Sequence, residues 1–225
     1  MSSKIFSQLK RYLLLAVGLA IMAFGVAFSI KAGLGTSPIS SLPYVLSLLF
    51  PRTLTVGTAT IAMHIAFILL QILLLRRQYD PIQLLQLPVA LFFGVLTDFS
   101  VWVLQGVVPD SYFMRWILCI IGILLVGVGV SFEVTANVVT LAGEGLVLAI
   151  CKVFPVPFAK AKIGFDITLV VLASTLSLIF LAHLAGVREG TMAAAICDKS
   201  TGKPTQSRVG VQFDVETVQK QLDAA

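Results

Sequence analysis

Residues 11–36, RYLLLAVGLAIMAFGVAFSIKAGLGT, return as residues 115–140, RWILCIIGILLVGVGVSFEVTANVVT. At a constant offset of 104, with no gap, Gly18 falls on Gly122, Gly25 on Gly129, Phe28 on Phe132, Ala32 on Ala136 and Thr36 on Thr140. The register continues to residues 76 and 180, so that Phe50-Pro51 meets Phe154-Pro155. Apolar sequences match one another cheaply, but these coincidences favour glycine, proline and loop positions over interchangeable leucines. A duplicated membrane unit is a sequence pattern of secondary transporters, whose substrate sites lie between the repeats.

The surrounding composition agrees. Of 225 residues, 58% are hydrophobic and 12% charged, and the mean hydropathy is +0.99. A soluble domain carries about 25% charged residues, so too little polar surface exists here to face water. The net charge of +5 reads as the cytoplasmic bias of Lys and Arg in membrane-protein loops. No basic stripe with interleaved aromatics is present, so no nucleic-acid partner is expected. Cys119, Cys151 and Cys197 stand apart in apolar stretches and read as small buried hydrophobes. No metal and no cofactor is expected. The apolar run after Lys4, Lys10 and Arg11 shows no small-residue cleavage site. It reads as an uncleaved first span with a cytoplasmic N-terminus.

Five apolar segments, 12–30, 55–75, 82–108, 116–134 and 163–185, are each long enough to cross about 30 Å of hydrocarbon as a helix. Three others are short: 37–50 with Pro38 and Pro43, 138–153 with Gly143-Glu144-Gly145, and 190–197, which stops at Asp198. The first two occupy equivalent places in the two halves, and paired short or Gly/Pro-interrupted segments point to a transporter's binding region. Helices lying flat at the interface are the plainer alternative. If the short segments do not cross, the halves are inverted; if they do, the halves are parallel. Lys and Arg counting ties at eight against four in both arrangements. A helix over 37–50 reaches only about 21 Å, which favours inversion. The expected fold is all-α and polytopic: five to six transmembrane helices, two short interrupted or re-entrant helices, and an internal duplication with an inverted repeat favoured. Residues 1–108 form the first repeat, 109–197 a second, shortened repeat, and 198–225 a polar tail with a short helix near 212–222.

Candidate chemistry collects after the first span, at Lys31-Ala-Gly-Leu-Gly-Thr-Ser-Pro38. Gly33 and Gly35 permit unusual backbone angles, and Thr36-Ser37-Pro38 can cap a new helix. Helix amides beside Lys31 would attract an anion. The stretch lacks the Gly-Lys-Ser/Thr ending of a P-loop. Its counterpart keeps polar Asn137 and Thr140 but loses the glycines. The substrate-binding candidates are therefore Lys31, Gly33, Gly35, Thr36, Ser37, Asn137, Thr140 and His64. The last shares one helical face with Gly57, Thr60 and Gln71. A plain capped turn and a satisfied His–Thr or His–Gln contact are the competing readings.

Glu133, Glu144, Asp98 and Asp166 are the ion-coupling candidates, since an intramembrane carboxylate is costly unless it faces water, a partner or a cavity. Snorkelling competes for Glu133, an ion pair with Lys152, Lys160 or Lys162 for Glu144, and an i,i+4 pair with Lys162 for Asp166. The faces Gly18, Met22, Gly25, Ser29 and Gly122, Val126, Gly129, Glu133 read as surfaces of close helix approach. No Ser/His/Asp arrangement, HExxH motif or paired-carboxylate signature is present, so the chain is not expected to be an enzyme.

Ala-Gly-Leu-Gly-Thr-Ser-Pro (32–38), and more weakly Gly-Val-Arg-Glu-Gly-Thr (186–191), resembles the YczE/YyaS/YitT-type family of bacterial integral membrane proteins. The similarity covers most of residues 10–197. It implies a multi-pass protein of the bacterial cytoplasmic membrane with five or six spans, and little chemistry. Family members continue apolar after the Arg-Glu-Gly-Thr stretch; this chain turns polar at Asp198. The functional expectation is a small secondary transporter or permease for a small solute, anions included, driven by a proton or sodium gradient. Its partners would be the lipid bilayer and that solute, and a homo-oligomer is left open. The rivals are a substrate-capturing membrane subunit of an ATPase-driven uptake system and a non-transporting membrane scaffold or regulator.

Overall fold

The computed structural model describes residues 2–183 and 185–194. Residues 195–197 of the last short segment, the polar tail and the helix expected near 212–222 lie outside the described residues. The chain folds as α1 (Ser2–Ala32), α2 (Pro38–Leu49), α3 (Val56–Leu75), α4 (Gln86–Val103), α5 (Tyr112–Ala136), α6 (Ala142–Val153) and α7 (Phe158–Leu181), with two 3-10 turns, Arg76–Gln78 and Pro81–Leu85, joining α3 to α4. The described residues are helical, with no strand among them. Five helices are long and apolar enough to cross a membrane, and α2 and α6 are half that length.

Local chemistry sets the boundaries. Pro38 opens α2, where its missing N–H costs nothing. Thr55 and Thr58 form a reciprocal capping box at the start of α3. Ser111 caps α5 by accepting from Met114 N at 3.2 Å, and Asn137 closes it in the left-handed conformation. Two expected spans shift. The segment expected to run to 108 ends at Val103, because residues 104–106 turn. The one expected from 163 starts at Phe158, directly after Pro157, and stops at Leu181.

The bundle is built around α1 and α5. A Cβ added at Gly18 would lie 3.0 Å from Gly129 O, and one added at Gly25 would lie 2.8 Å from Gly122 O and from Val126 N. Gly18 thus opposes Gly129 and Gly25 opposes Gly122, so the helices run antiparallel. Each of these contacts is also the other's counterpart under the 104-residue offset. The helix ends follow the same offset: Ala32 and Ala136, Pro38 and Ala142, Leu49 and Val153. Only a bare backbone face allows so close an approach, which is what small residues do between apolar helices.

This register has a consequence for the short helices. It places the end of α1 beside the start of α5, where Arg115 reaches Gly33, and the end of α5 beside Leu15. The C-terminal ends of α1 and α5 are thus about 30 Å apart at 1.5 Å per residue. Yet Ile39 in the first turn of α2 touches Gly143 in the first turn of α6. The five-residue connections 33–37 and 137–141 can span at most about 17 Å each. Both therefore run inward, so that α2 and α6 start towards the middle of the bundle.

Each short helix then leads back to the end it came from. The chain after α2 reaches α3, whose Gly57 N donates to Asp98 of α4 at 2.7 Å. The far end of α4 meets Lys31 through Gln105 O. At the opposite end, Lys152 near the end of α6 reaches Gln78 O after α3. Packing is exchanged between the halves: α2 lies mainly on α7, and α6 mainly on α3.

Candidate functional site

The first turn of α6 is held by buried polar side chains from three other helices. Glu133, on the last turn of α5, accepts a 2.7 Å hydrogen bond from Leu141 N. It is 3% exposed, and a carboxylate at a helix start is favoured by the amides and dipole there. Gln71 of α3 donates through Nε2 to Ala142 O at 3.0 Å and to Gln86 Oε1 of α4 at 3.1 Å. The Gln71–Gln86 pair lies against Gly145, where a Cβ would come within 2.9 Å of Gln71 Oε1. Gln71 is fully buried, and its Oε1 has no protein partner. Glu144 is half-buried on the same turn, three residues after Leu141.

His64 lies two turns before Gln71 on the inner face of α3, together with buried Gly57 and Thr60. Its Nδ1 is 2.8 Å from Thr60 O. A carbonyl can only accept, so Nδ1 carries a proton and Nε2 is the open lone pair of the neutral ring. That Nε2 is buried and has no protein partner. The ring lies between Phe67 and Phe93, both 6.2 Å away. Phe67 in turn packs beside Gly143 of α6.

The start of α2 differs from that of α6. Ser37 makes no side-chain cap, and its hydroxyl lies 3.1 Å from that of Ser40. The position equivalent to Glu133 is Ser29, which donates to Gly25 O within its own helix. The start of α6 therefore carries a carboxylate of the protein, and the start of α2 does not.

The remaining predicted residues fall into separate groups. Gly33 and Gly35 have φ of 65° and 99°, which glycine adopts without strain. The 33–36 stretch is joined to 186–191: Thr36 N donates to Gly186 O at 3.0 Å, Gly190 N to Leu34 O at 2.8 Å and Arg188 Nη1 to Gly33 O at 3.3 Å. The two motifs that carried the family resemblance are thus one hydrogen-bonded unit. Lys31 reaches Gln105 O at 3.5 Å. Asn137 is exposed and Thr140 half-buried. Asp98 accepts from Thr55 Oγ1 at 2.6 Å and from Gly57 N at 2.7 Å, and so secures the start of α3. Asp166 pairs with Lys162 at 3.0 Å, one turn along α7.

The geometry thus gathers Glu133, Glu144 and His64 around the meeting point of α2 and α6, and leaves Asp98 and Asp166 in other contacts. Gln86 was not singled out from sequence. Its signal was an amide at the head of an apolar run, three residues after Gln83 and two before Pro88. The hydroxyls of Thr60, Thr97, Ser100, Ser131, Thr135 and Thr168 each return to the carbonyl four residues earlier, the ordinary way to satisfy them in an apolar helix.

A model of a family of unknown function, DUF6198, matches residues 9–199. The chain belongs to this family. The DUF6198 match covers every described helix from the second turn of α1 onward. Two curated bacterial proteins are similar to it. The uncharacterized protein YyaS of Bacillus subtilis (strain 168) is 28% identical over 161 residues, covering 71% of this chain and 75% of that one. An uncharacterized protein of Haemophilus influenzae (strain ATCC 51907 / DSM 11121 / KW20 / Rd) is 25% identical over 166 residues, covering 74% and 72%. The resemblance read from residues 32–38 and 186–191 is borne out by YyaS. No solved structure matches.

Proposed function

We propose that this DUF6198 protein is a small secondary transporter of the bacterial cytoplasmic membrane, with its N-terminus cytoplasmic and its two halves inverted. Its solute path would run where the starts of α2 and α6 meet beside His64. One observation carries this reading: two half-length helices, entered from opposite ends of the bundle, touch at Ile39 and Gly143. Half-helix starts near the midplane are where transporters of inverted design place their substrates. Non-helical backbone at that depth is tolerated only against protein or water.

The chemistry supports a division of labour. At the start of α2, which has no side-chain cap, the helix start favours a negatively charged group of the solute, and the open Nε2 of His64 can accept a hydrogen bond from a solute N–H or O–H. At the start of α6, the neighbouring carboxylates Glu133 and Glu144 suit a coupling proton or sodium ion. No enzymatic role is assigned. The test is flux in proteoliposomes against a panel of small organic and inorganic anions, with imposed proton and sodium gradients. Gradient-dependent uptake of at least one solute that is lost in His64→Ala supports the reading. No gradient-dependent movement of any solute, in protein shown to be folded, would rule it out.

A further inference from the structure

We propose that Lys31, Arg115 and Arg188 form a docking site for the phosphate-bearing headgroup of an acidic phospholipid. The site rests on the chain spanning a bilayer, but not on transport. Three segments distant in sequence bring their cations to one turn. A Cβ at Gly33 would lie 3.3 Å from Arg115 Nη1. Arg188 Nη1 donates to Gly33 O at 3.3 Å. Lys31 is two residues away and reaches Gln105 O at 3.5 Å. Against these three charges the cluster holds one carboxylate, Glu189, 3.6 Å from Arg188 Nε and itself half-exposed. Among the described residues Arg115 makes no ion pair, and Asp110 on the neighbouring connection pairs with none of the three. Two guanidinium groups held against one glycine repel each other unless an anion lies between them.

Position identifies the anion. The apolar windows of three long helices stop here, at Ala32, Val103 and Tyr112. Around the cluster the surface turns aromatic and apolar: Trp102 is 62% exposed, Tyr112 58% and Phe113 76%. Exposed aromatics at a helix end mark headgroup depth, which puts lipid phosphates within reach of these cations. A free phosphate would find the same cations, but no use for the apolar collar. A phospholipid satisfies both, with its phosphodiester on the cations and its chains along Trp102 and Phe113.

The protein supplies its own probe, because its two tryptophans, Trp102 and Trp116, both lie at this end. Full-length protein would be reconstituted with a brominated acidic phospholipid (phosphatidylglycerol) or brominated phosphatidylcholine, and tryptophan quenching compared. The expected result is selective quenching by the acidic lipid. The preference should fall on the order of fivefold per cation removed in Arg115→Gln and further in Arg115→Gln/Arg188→Gln. It should persist in Arg188→Lys, which keeps the charge, and in Arg76→Gln/Arg77→Gln, which alters the opposite end. Equal quenching by the two lipids in the wild type would overturn the proposal. So would a preference that survives the double variant, or one that inorganic phosphate abolishes, which would make the site one for free anions. Absence of quenching by either lipid would instead overturn the reading that the chain spans a bilayer.

Discussion

At the scale of single residues, glycine placement decides how closely the helices meet. Gly25 lies against the backbone of α5, with Gly122 O and Val126 N each 2.8 Å from where a Cβ would stand, and neither atom can swing aside. Gly25→Ala should therefore destabilise the protein by about 1–3 kcal/mol through overpacking. Gly164, on the open face of α7, has nothing within 4 Å of an added Cβ. Gly164→Ala should leave stability unchanged or raise it by up to about 1 kcal/mol, because alanine is the better helix former. Thermal unfolding of the two variants in detergent checks both. The role of Gly25 was legible in the sequence, because glycine recurring every seven residues on one apolar face leaves a bare strip of backbone suited to a second helix. The role of Asp98 was not. The sequence marks it only as an intramembrane carboxylate and ion-coupling candidate; in the structure its carboxylate accepts from Thr55 and Gly57 at the start of a neighbouring helix. Which helix start a carboxylate meets is decided by packing, and no spacing records it.

At the scale of elements, the fastening of α6 matters most. Glu133 accepts from Leu141 N, and Gln71 with Gln86 clasps Gly145. Glu133→Ala leaves a buried backbone N–H without its acceptor, which should cost about 1–3 kcal/mol. Glu133→Gln keeps an acceptor oxygen but no charge. It should cost less stability than Glu133→Ala, because the acceptor for Leu141 N is kept, while abolishing gradient-driven flux. Unfolding and flux measured on the same preparations separate the two roles. A Gln variant that transports as well as the wild type would remove Glu133 from the coupling scheme. Pro38, Pro43 and Gly143-Glu144-Gly145 made the short length of α2 and α6 legible. Their meeting point was not, because it follows from the register of α1 on α5 and the reach of two five-residue connections. The joining of 33–36 to 186–191 was equally hidden: its bonds are largely backbone to backbone, and any sequence offers those groups.

At the scale of the whole molecule, Lys and Arg counting left inverted and parallel halves tied. The antiparallel seam of α1 and α5 supports inversion, since equivalent helices can run in opposite directions only if an odd number of crossings separates their starts. That requires α2 to enter and leave on one side. The most direct test is labelling of single cysteines, in a Cys-free background, by a membrane-impermeant thiol reagent applied to sealed, oriented vesicles. The sites are Lys31→Cys before α2, Arg52→Cys after it and Val156→Cys after α6. Inverted halves predict that positions 31 and 52 label from the same face and position 156 from the opposite one. Labelling of 31 and 52 from opposite faces would mean that α2 crosses, and would contradict the inverted arrangement and the central meeting of the two short helices with it.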